Sequence, residues 1–176
     1  GLLATLIFSG LSVFGILYAG WASANSFAFI GAIRAAAQVV SYELAFSTCL
    51  LTCLLFGGSF NWTQIIEAQE GDEHIALLPI FAIFLPAALA ETNRVPFDLP
   101  ESESELVAGF MTELSAIPFV LFFLAEYAAL LLIASVTSAL FLGGFPTGVP
   151  LPLAAATFGL KTNLVLFFYI EYALRY

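Results

Sequence analysis

Positive charge is the scarcest property of this 176-residue chain: four lysines and arginines stand against 13 aspartates and glutamates, a formal net charge of −9. Nucleic-acid binding needs a basic footprint for phosphates, so that class of partner is excluded. Charge of either sign is rare, at 10% of residues, where a soluble domain carries about a quarter. A single histidine, His74, and two cysteines leave no cluster with metal-ligand spacing. Cys49 and Cys53, four apart in an apolar run, read as two small residues on a packed helix face. The start has no basic segment and no small-residue cleavage site, so no signal peptide is expected. It opens on Gly1 without an initiator methionine, as a processed piece, a split-gene product or part of a longer protein would. What fills the chain instead is apolar, 61% of residues with a mean hydropathy of +1.02. This is the composition of an integral membrane protein.

A helix needs about 20 apolar residues to cross the hydrocarbon, and five segments approach that. Leu2 to Trp21 does so without any charge. The second runs from Phe27 to Phe56, with Arg34, Gln38 and Glu43 inside it and Gly57-Gly58 to end it. The third runs from Ile75 to Glu91 and contains Pro79 and Pro86, which remove backbone donors and kink a helix. The fourth covers Leu114 to Leu142, with Pro118 and Glu126 inside and Gly143-Gly144 after it. A Gly- and Pro-rich loop, Phe145 to Pro152, leads to the fifth, Leu153 to Leu174. The expected fold is an all-α integral membrane protein of about five transmembrane helices. It forms one transmembrane domain over residues 1–176, with an acidic outer loop at 57–74 and a polar, partly helical inner loop at 92–113.

Orientation follows from the arginines. Arg34, Arg94 and Arg175 lie in or beside the connections after the first, third and fifth spans, whereas residues 61–74 carry Glu67, Glu70, Asp72 and Glu73 and no Lys or Arg. The positive-inside rule then puts residues 91–113 on the cytoplasmic or matrix side.

Three carboxyls fall within spans: Glu43, Glu91 and Glu126. A charged side chain at that depth is costly, so it pairs, faces water or takes up a proton. Desolvation favours the neutral acid, which suits a proton relay, and a structural partner for a buried cation is the other reading. For one acid the two readings stand level. For three acids on three helices, with only Arg34 and Lys161 as cations inside spans, the relay is the better. Arg34, Gln38 and Tyr42 recur every fourth residue along one stripe of the second span, polar enough to border a water path, with Glu43 beside it. Arg34 also has the simpler reading of a stem along the helix with its head at the interface.

Residues 91–113 hold six of the 13 acids and one of the four basic residues. Val95-Pro96 and Leu99-Pro100 interrupt the helix, and Asp98 or Pro100 can open a new one near Glu101. The dipole of that helix favours Glu101 and Glu103 in its first turn, an explanation that does not reach Glu105 or Glu113. Arg94 is the obvious counter-charge of the cluster.

Two blocks carry a family resemblance: Gly31-Ala-Ile-Arg-Ala-Ala-Ala-Gln-Val-Val-Ser-Tyr-Glu43, and Ala90-Glu-Thr-Asn-Arg-Val-Pro-Phe-Asp-Leu-Pro-Glu-Ser-Glu-Ser-Glu-Leu-Val-Ala-Gly109. Phe122-Phe-Leu-Ala-Glu-Tyr127 and Phe141-Leu-Gly-Gly144 add to them. In these the chain resembles the quinone-chamber membrane subunit (subunit 1) of proton-pumping NADH:ubiquinone oxidoreductase, respiratory complex I, over the family's third to seventh spans. It departs from the family at Leu114, where relatives commonly have tyrosine. It departs again at 169–176, where Tyr169-Ile-Glu-Tyr172 and Leu174-Arg-Tyr176 replace an aromatic-Arg pair and a Pro-Arg run.

The resemblance implies a subunit that lines the quinone access tunnel and links quinone reduction to proton translocation. Its implied proton path runs through Glu43, Glu91, Glu101, Glu105, Glu113 and Glu126. Its implied quinone contacts are Arg34, Arg94, Phe97, Asp98 and Glu101. Ubiquinone is then a substrate, with no cofactor or metal held by this chain. The implied partners are soluble quinone-reducing subunits carrying iron–sulfur clusters, other complex I membrane subunits, lipids, and a separate chain supplying the helices absent here. The implied address is the mitochondrial inner membrane, with a bacterial plasma membrane as the alternative. Three other readings remain: the membrane subunit of a related hydrogenase-type complex, a cofactor-free ion transporter, and a simple anchor for a soluble partner. Transporters of that kind often carry inverted repeats with broken helices, and no repeat is evident. An anchor has no need of acids inside three spans.

Overall fold

The computed structural model describes residues 1–68, 74–93, 97, 111, 114–146 and 148–175, the side chains of 74–76 and 173–175 excepted. Every regular element among them is a helix. Helix α1, Leu2–Ala22, has 21 residues, about 31 Å at 1.5 Å per residue, enough to cross the hydrocarbon. Helix α2, Ser26–Gly57, has 32 residues and is the longest. The three residues between them make a tight reversal. Ala24 takes φ 51°, and Asn25 Oδ1 accepts the Phe27 N–H at 3.0 Å, a side-chain cap for one of the donors that a helix start leaves unpaired.

The hairpin closes on small residues. A Cβ added to Gly20 would lie 2.3 Å from the Ala32 Cβ, so the two backbones touch where nothing larger than glycine fits. This is how membrane helices gain contact when lipid is as apolar as their side chains.

Residues 57–74, expected as an acidic loop, contain a further helix, α3, Trp62–Ala68. The acids dominate the composition there, but Ile65 and Ile66 make one apolar face. Ile65 packs on the backbone of Gly57, and Ile66 on that of Gly144, while Glu67 points out. Tertiary burial, rather than local composition, decides the segment. Glu70, Asp72 and Glu73 lie outside the described residues.

Helix α4, His74–Glu91, runs through both Pro79 and Pro86. Helix α5, Ala116–Phe141, and helix α6, Leu151–Arg175, complete the bundle. The expected start of α6 at Leu153 is two residues late. Pro152 needs no N–H partner in a first helical turn, and the Pro150 carbonyl accepts from the N–H groups of Leu153 and Ala154 at 2.9 and 3.0 Å. Helices α1, α2 and α5, and Leu151–Tyr172 of α6, are long and apolar enough to cross a membrane, and Leu77–Glu91 of α4 is a shorter apolar helix. The chain is an all-α, multi-pass membrane protein.

Helix α2 is the spine, packed against α1 on one side and α4 on another. The core between α2, α4 and α5 holds Phe46, Phe84, Leu140 and the buried thiols of Cys49 and Cys53. Phe84 stacks on Phe46 with ring centroids 5.1 Å apart and leans on Phe141 at 5.0 Å. Between α5 and α6 the contact is partly polar. Thr137 Oγ1 and the Tyr169 hydroxyl lie 3.3 Å apart, and Ser138 Oγ and Thr162 Oγ1 3.1 Å apart. Lys161 donates to the carbonyls of Leu142 and Gly144 at 2.7 and 3.2 Å, placing its charge at the negative end of α5.

Candidate functional site

Glu91 is the last residue of α4, and its carboxyl turns toward α1. Ser9 Oγ donates to Glu91 Oε1 at 2.5 Å. The second oxygen, Oε2, is buried and has no hydrogen-bond partner among the described residues. The next residue of α1, Gly10, meets a different carboxyl: a Cβ there would sit 2.8 Å from Glu43 Oε1. Two carboxyls from α2 and α4 therefore reach consecutive residues of one uncharged helix. A side chain at position 10 would collide with the first of them.

Glu91 also lines a cavity of about 310 Å³ between α1, the end of α4 and α5. Ser12, Thr92, Asn93 and Glu126 supply its other polar residues. Ile16, Val39, Met111 and Phe122 form much of the apolar wall. Its size falls at the lower end of the ~300–1,000 Å³ typical of small-molecule sites, and it has ample room for waters bridging polar groups. An apolar wall with two carboxyls suits a cyclic, hydrogen-bonding ligand or a short file of water between the acids.

On the polar stripe of α2, Gln38 faces protein. Gln38 is 5% exposed; its amide nitrogen is engaged by protein, while Oε1 is buried without a hydrogen-bond partner among the described residues. Nε2 donates toward the Ala90 carbonyl, Asn93 Oδ1 and the Phe97 carbonyl at 3.2, 3.1 and 2.6 Å. Tyr42, one turn on, meets the Phe97 ring edge to face with centroids 5.3 Å apart. Phe97 is thus half-buried against α2, a position set by its own ring and carbonyl. Arg34, one turn before Gln38, is exposed.

Of the residues singled out from sequence, the structure brings Glu91 and Glu126 to one cavity and sets Glu43 beside Gly10, next to the serine that holds Glu91. Arg94, Asp98, Glu101, Glu105 and Glu113 lie outside the described residues. Sequence reasoning does not mark Ser9 or Ser12, and it marks Gln38 only as part of a polar stripe. The serines carry a weak signal: three apart on an otherwise apolar helix, they share a face.

The sequence model of one family, described as NADH dehydrogenase, matches residues 1–175. Over 176 residues the chain is 48% identical to NADH-ubiquinone oxidoreductase chain 1 of Chondrus crispus, covering 97% of this chain and 54% of that one. It is 54% identical over 146 residues to the protein of the same name from Mycosarcoma maydis, covering 82% of this chain and 44% of that one. With an NADH-quinone oxidoreductase subunit of Rhodospirillum centenum the identity is 53% over 146 residues, again 82% and 44% of the two chains. The chain spans about half the length of the curated relatives it matches.

Proposed function

The chain belongs to the NADH dehydrogenase family, and from that premise we propose that it is part of the membrane subunit of an NADH:quinone oxidoreductase. In this reading it lines the quinone access tunnel and couples quinone reduction to proton translocation. The observation that carries the reading is the pair Glu91 and Glu126 on one largely apolar cavity, with Glu43 of α2 close by against Gly10 of α1. An apolar wall accepts a hydrophobic quinone, and carboxyls at its edge supply and collect protons.

Reduction of a quinone to a quinol adds electrons and protons together. The electrons come from iron–sulfur subunits docked on the inner side, and this chain contributes the proton half. Glu91, with one oxygen held by Ser9 and the other unengaged among the described residues, is built to exchange a proton while keeping its position. Glu43 and Glu126 extend the path to α2 and α5. Glu101, Glu105 and Glu113 continue it into the inner loop, where Arg94, Phe97, Asp98 and Glu101, with Arg34 on α2, contact the quinone. The membrane is the mitochondrial inner membrane, or the plasma membrane in a bacterial host.

Composition of the purified assembly tests this reading. Solubilised with mild detergent and isolated through a tag on this chain, it should carry flavin, iron–sulfur clusters and many other subunits, and reduce quinone with NADH. An isolated homo-oligomer without those groups would refute it.

A further inference from the structure

Gln38 stands in the first half of α2, buried, with its side-chain nitrogen facing three acceptors that bracket the point where α4 stops. Ala90 belongs to the last turn of α4, whose carbonyls lack partners within the helix. Asn93 sits in the left-handed region at φ 51°, uncommon for a residue other than glycine. Phe97 lies in the inner loop. An amide nitrogen carries two protons, so the three contacts at 3.2, 3.1 and 2.6 Å use all of its donor capacity. The Phe97 ring is held a second time, by Tyr42. Two side chains one turn apart on α2 therefore hold the exit of α4 and an aromatic residue of the inner loop.

We propose that Gln38 is a positioning residue, a latch that fixes the end of α4 and the start of the inner loop so that Glu91 and Phe97 keep the geometry in which quinone is bound. It touches neither carboxyl. Its effect passes through Ala90, Asn93 and Phe97, and the proposal rests on the quinone reading above. Gln38→Leu keeps the bulk but removes the donor shared by Asn93 Oδ1 and the Phe97 carbonyl, and leaves the Ala90 carbonyl with the Asn93 N–H alone. Gln38→Glu keeps the shape and turns an acceptor toward acceptors.

The test uses the whole assembled complex carrying Gln38→Leu, with Ser41→Ala as control. Ser41 is exposed, and its hydroxyl donates to the Ala37 carbonyl of its own helix at 2.7 Å. Hydrogen exchange is followed at the Thr92 and Asn93 amides, which donate to the Leu89 and Ala90 carbonyls at 3.2 and 3.3 Å. KM and kcat are measured with a short-chain quinone. Gln38→Leu should exchange about tenfold faster at those amides, the scale expected when a helix end loses its side-chain anchor. KM should rise about fivefold with a smaller change in kcat, the mark of lost substrate positioning. Ser41→Ala should change neither. Unchanged exchange overturns the latch. Faster exchange with unchanged KM and kcat overturns its role in quinone geometry and leaves a plain helix anchor. A wild-type complex that reduces no quinone overturns the functional reading as well, and is told apart because the wild type itself is inactive. Should Gln38→Leu fail to assemble, Gln38→Glu carries both measurements with the same interpretation.

Discussion

Glu91→Gln separates a proton-carrying carboxyl from a structural one, because the structure shows what the amide would keep. The amide oxygen can still accept from Ser9 Oγ, the one hydrogen bond the carboxyl makes among the described residues. The amide NH2 takes the place of Oε2, which is buried and already unpartnered there. Exchanging one unsatisfied polar atom for another, each costing about 1–3 kcal/mol, leaves stability nearly level. Assembly should therefore survive. What is lost is the exchangeable proton. Acid–base groups in the right place contribute about 10²–10⁴-fold, so coupled quinone reduction should fall about a hundredfold, roughly 2.7 kcal/mol at 1.36 kcal/mol per decade. Ser9→Ala keeps the acid and removes its donor, a loss of about 1.5–3 kcal/mol where the acceptor is charged, and should slow the reaction by a smaller factor. The assay is NADH-driven quinone reduction and acidification in proteoliposomes, normalised to assembled complex. Glu91→Gln working at the wild-type rate, with pumping intact, would remove the relay from the account.

Three further outcomes are expected. Gly20→Ala puts a Cβ 2.3 Å from that of Ala32, and overpacking of this kind costs about 1–3 kcal/mol. The yield and thermal stability of the complex should drop, Gly20→Ala with Ala32→Gly should recover most of the loss, and unaltered melting of the single variant would discredit the close contact. Arg94→Ala should impair assembly or quinone reduction more than Lys161→Ala, since Arg94 is the one cation among six acids while Lys161 only caps α5, a contribution of about 0.3–1 kcal/mol. Equal activity of the two purified variants would count against it. A cysteine introduced at Ser102 should be labelled by an impermeant reagent from the matrix or cytoplasmic side alone, and labelling only from the opposite face would invert the topology.

The membrane helices were legible because each is a long apolar run and because Gly57-Gly58 and Gly143-Gly144 punctuate them. A span satisfies its backbone internally, so its existence depends on few distant contacts. Helix α3 was not legible for the opposite reason. It exists where Ile65 packs on Gly57 at the end of α2 and Ile66 on Gly144 just past α5, the latter far away in sequence. The three intramembrane acids stood out by their cost in lipid, and the structure sets two of them on one cavity. The roles of Ser9 and Gln38 were hidden. A serine on a membrane helix often bonds its own backbone, as Ser41 does here. A glutamine on a polar stripe fits water as well as a helix end, and only the register of α2 against α4 chooses between them.

That register also sets the end of α4, with Glu91, well inside the length of α2. Gln38 lies about 18 Å along α2 from Ser26, and it is at Gln38 that α4 ends. Helix α2 thus continues well past the exit of α4, and α1 continues with it as far as the Gly20–Ala32 contact. Asn93 itself lies within the bundle, against Gln38 of the α1–α2 hairpin. Non-helical backbone at such depth is tolerated only against protein or a water-filled cavity. The cavity beside Glu91, Asn93 and Glu126 meets that requirement. Carboxyls at its edge are consequently shielded from bulk water by two helices, yet within reach of whatever enters from the side of α5.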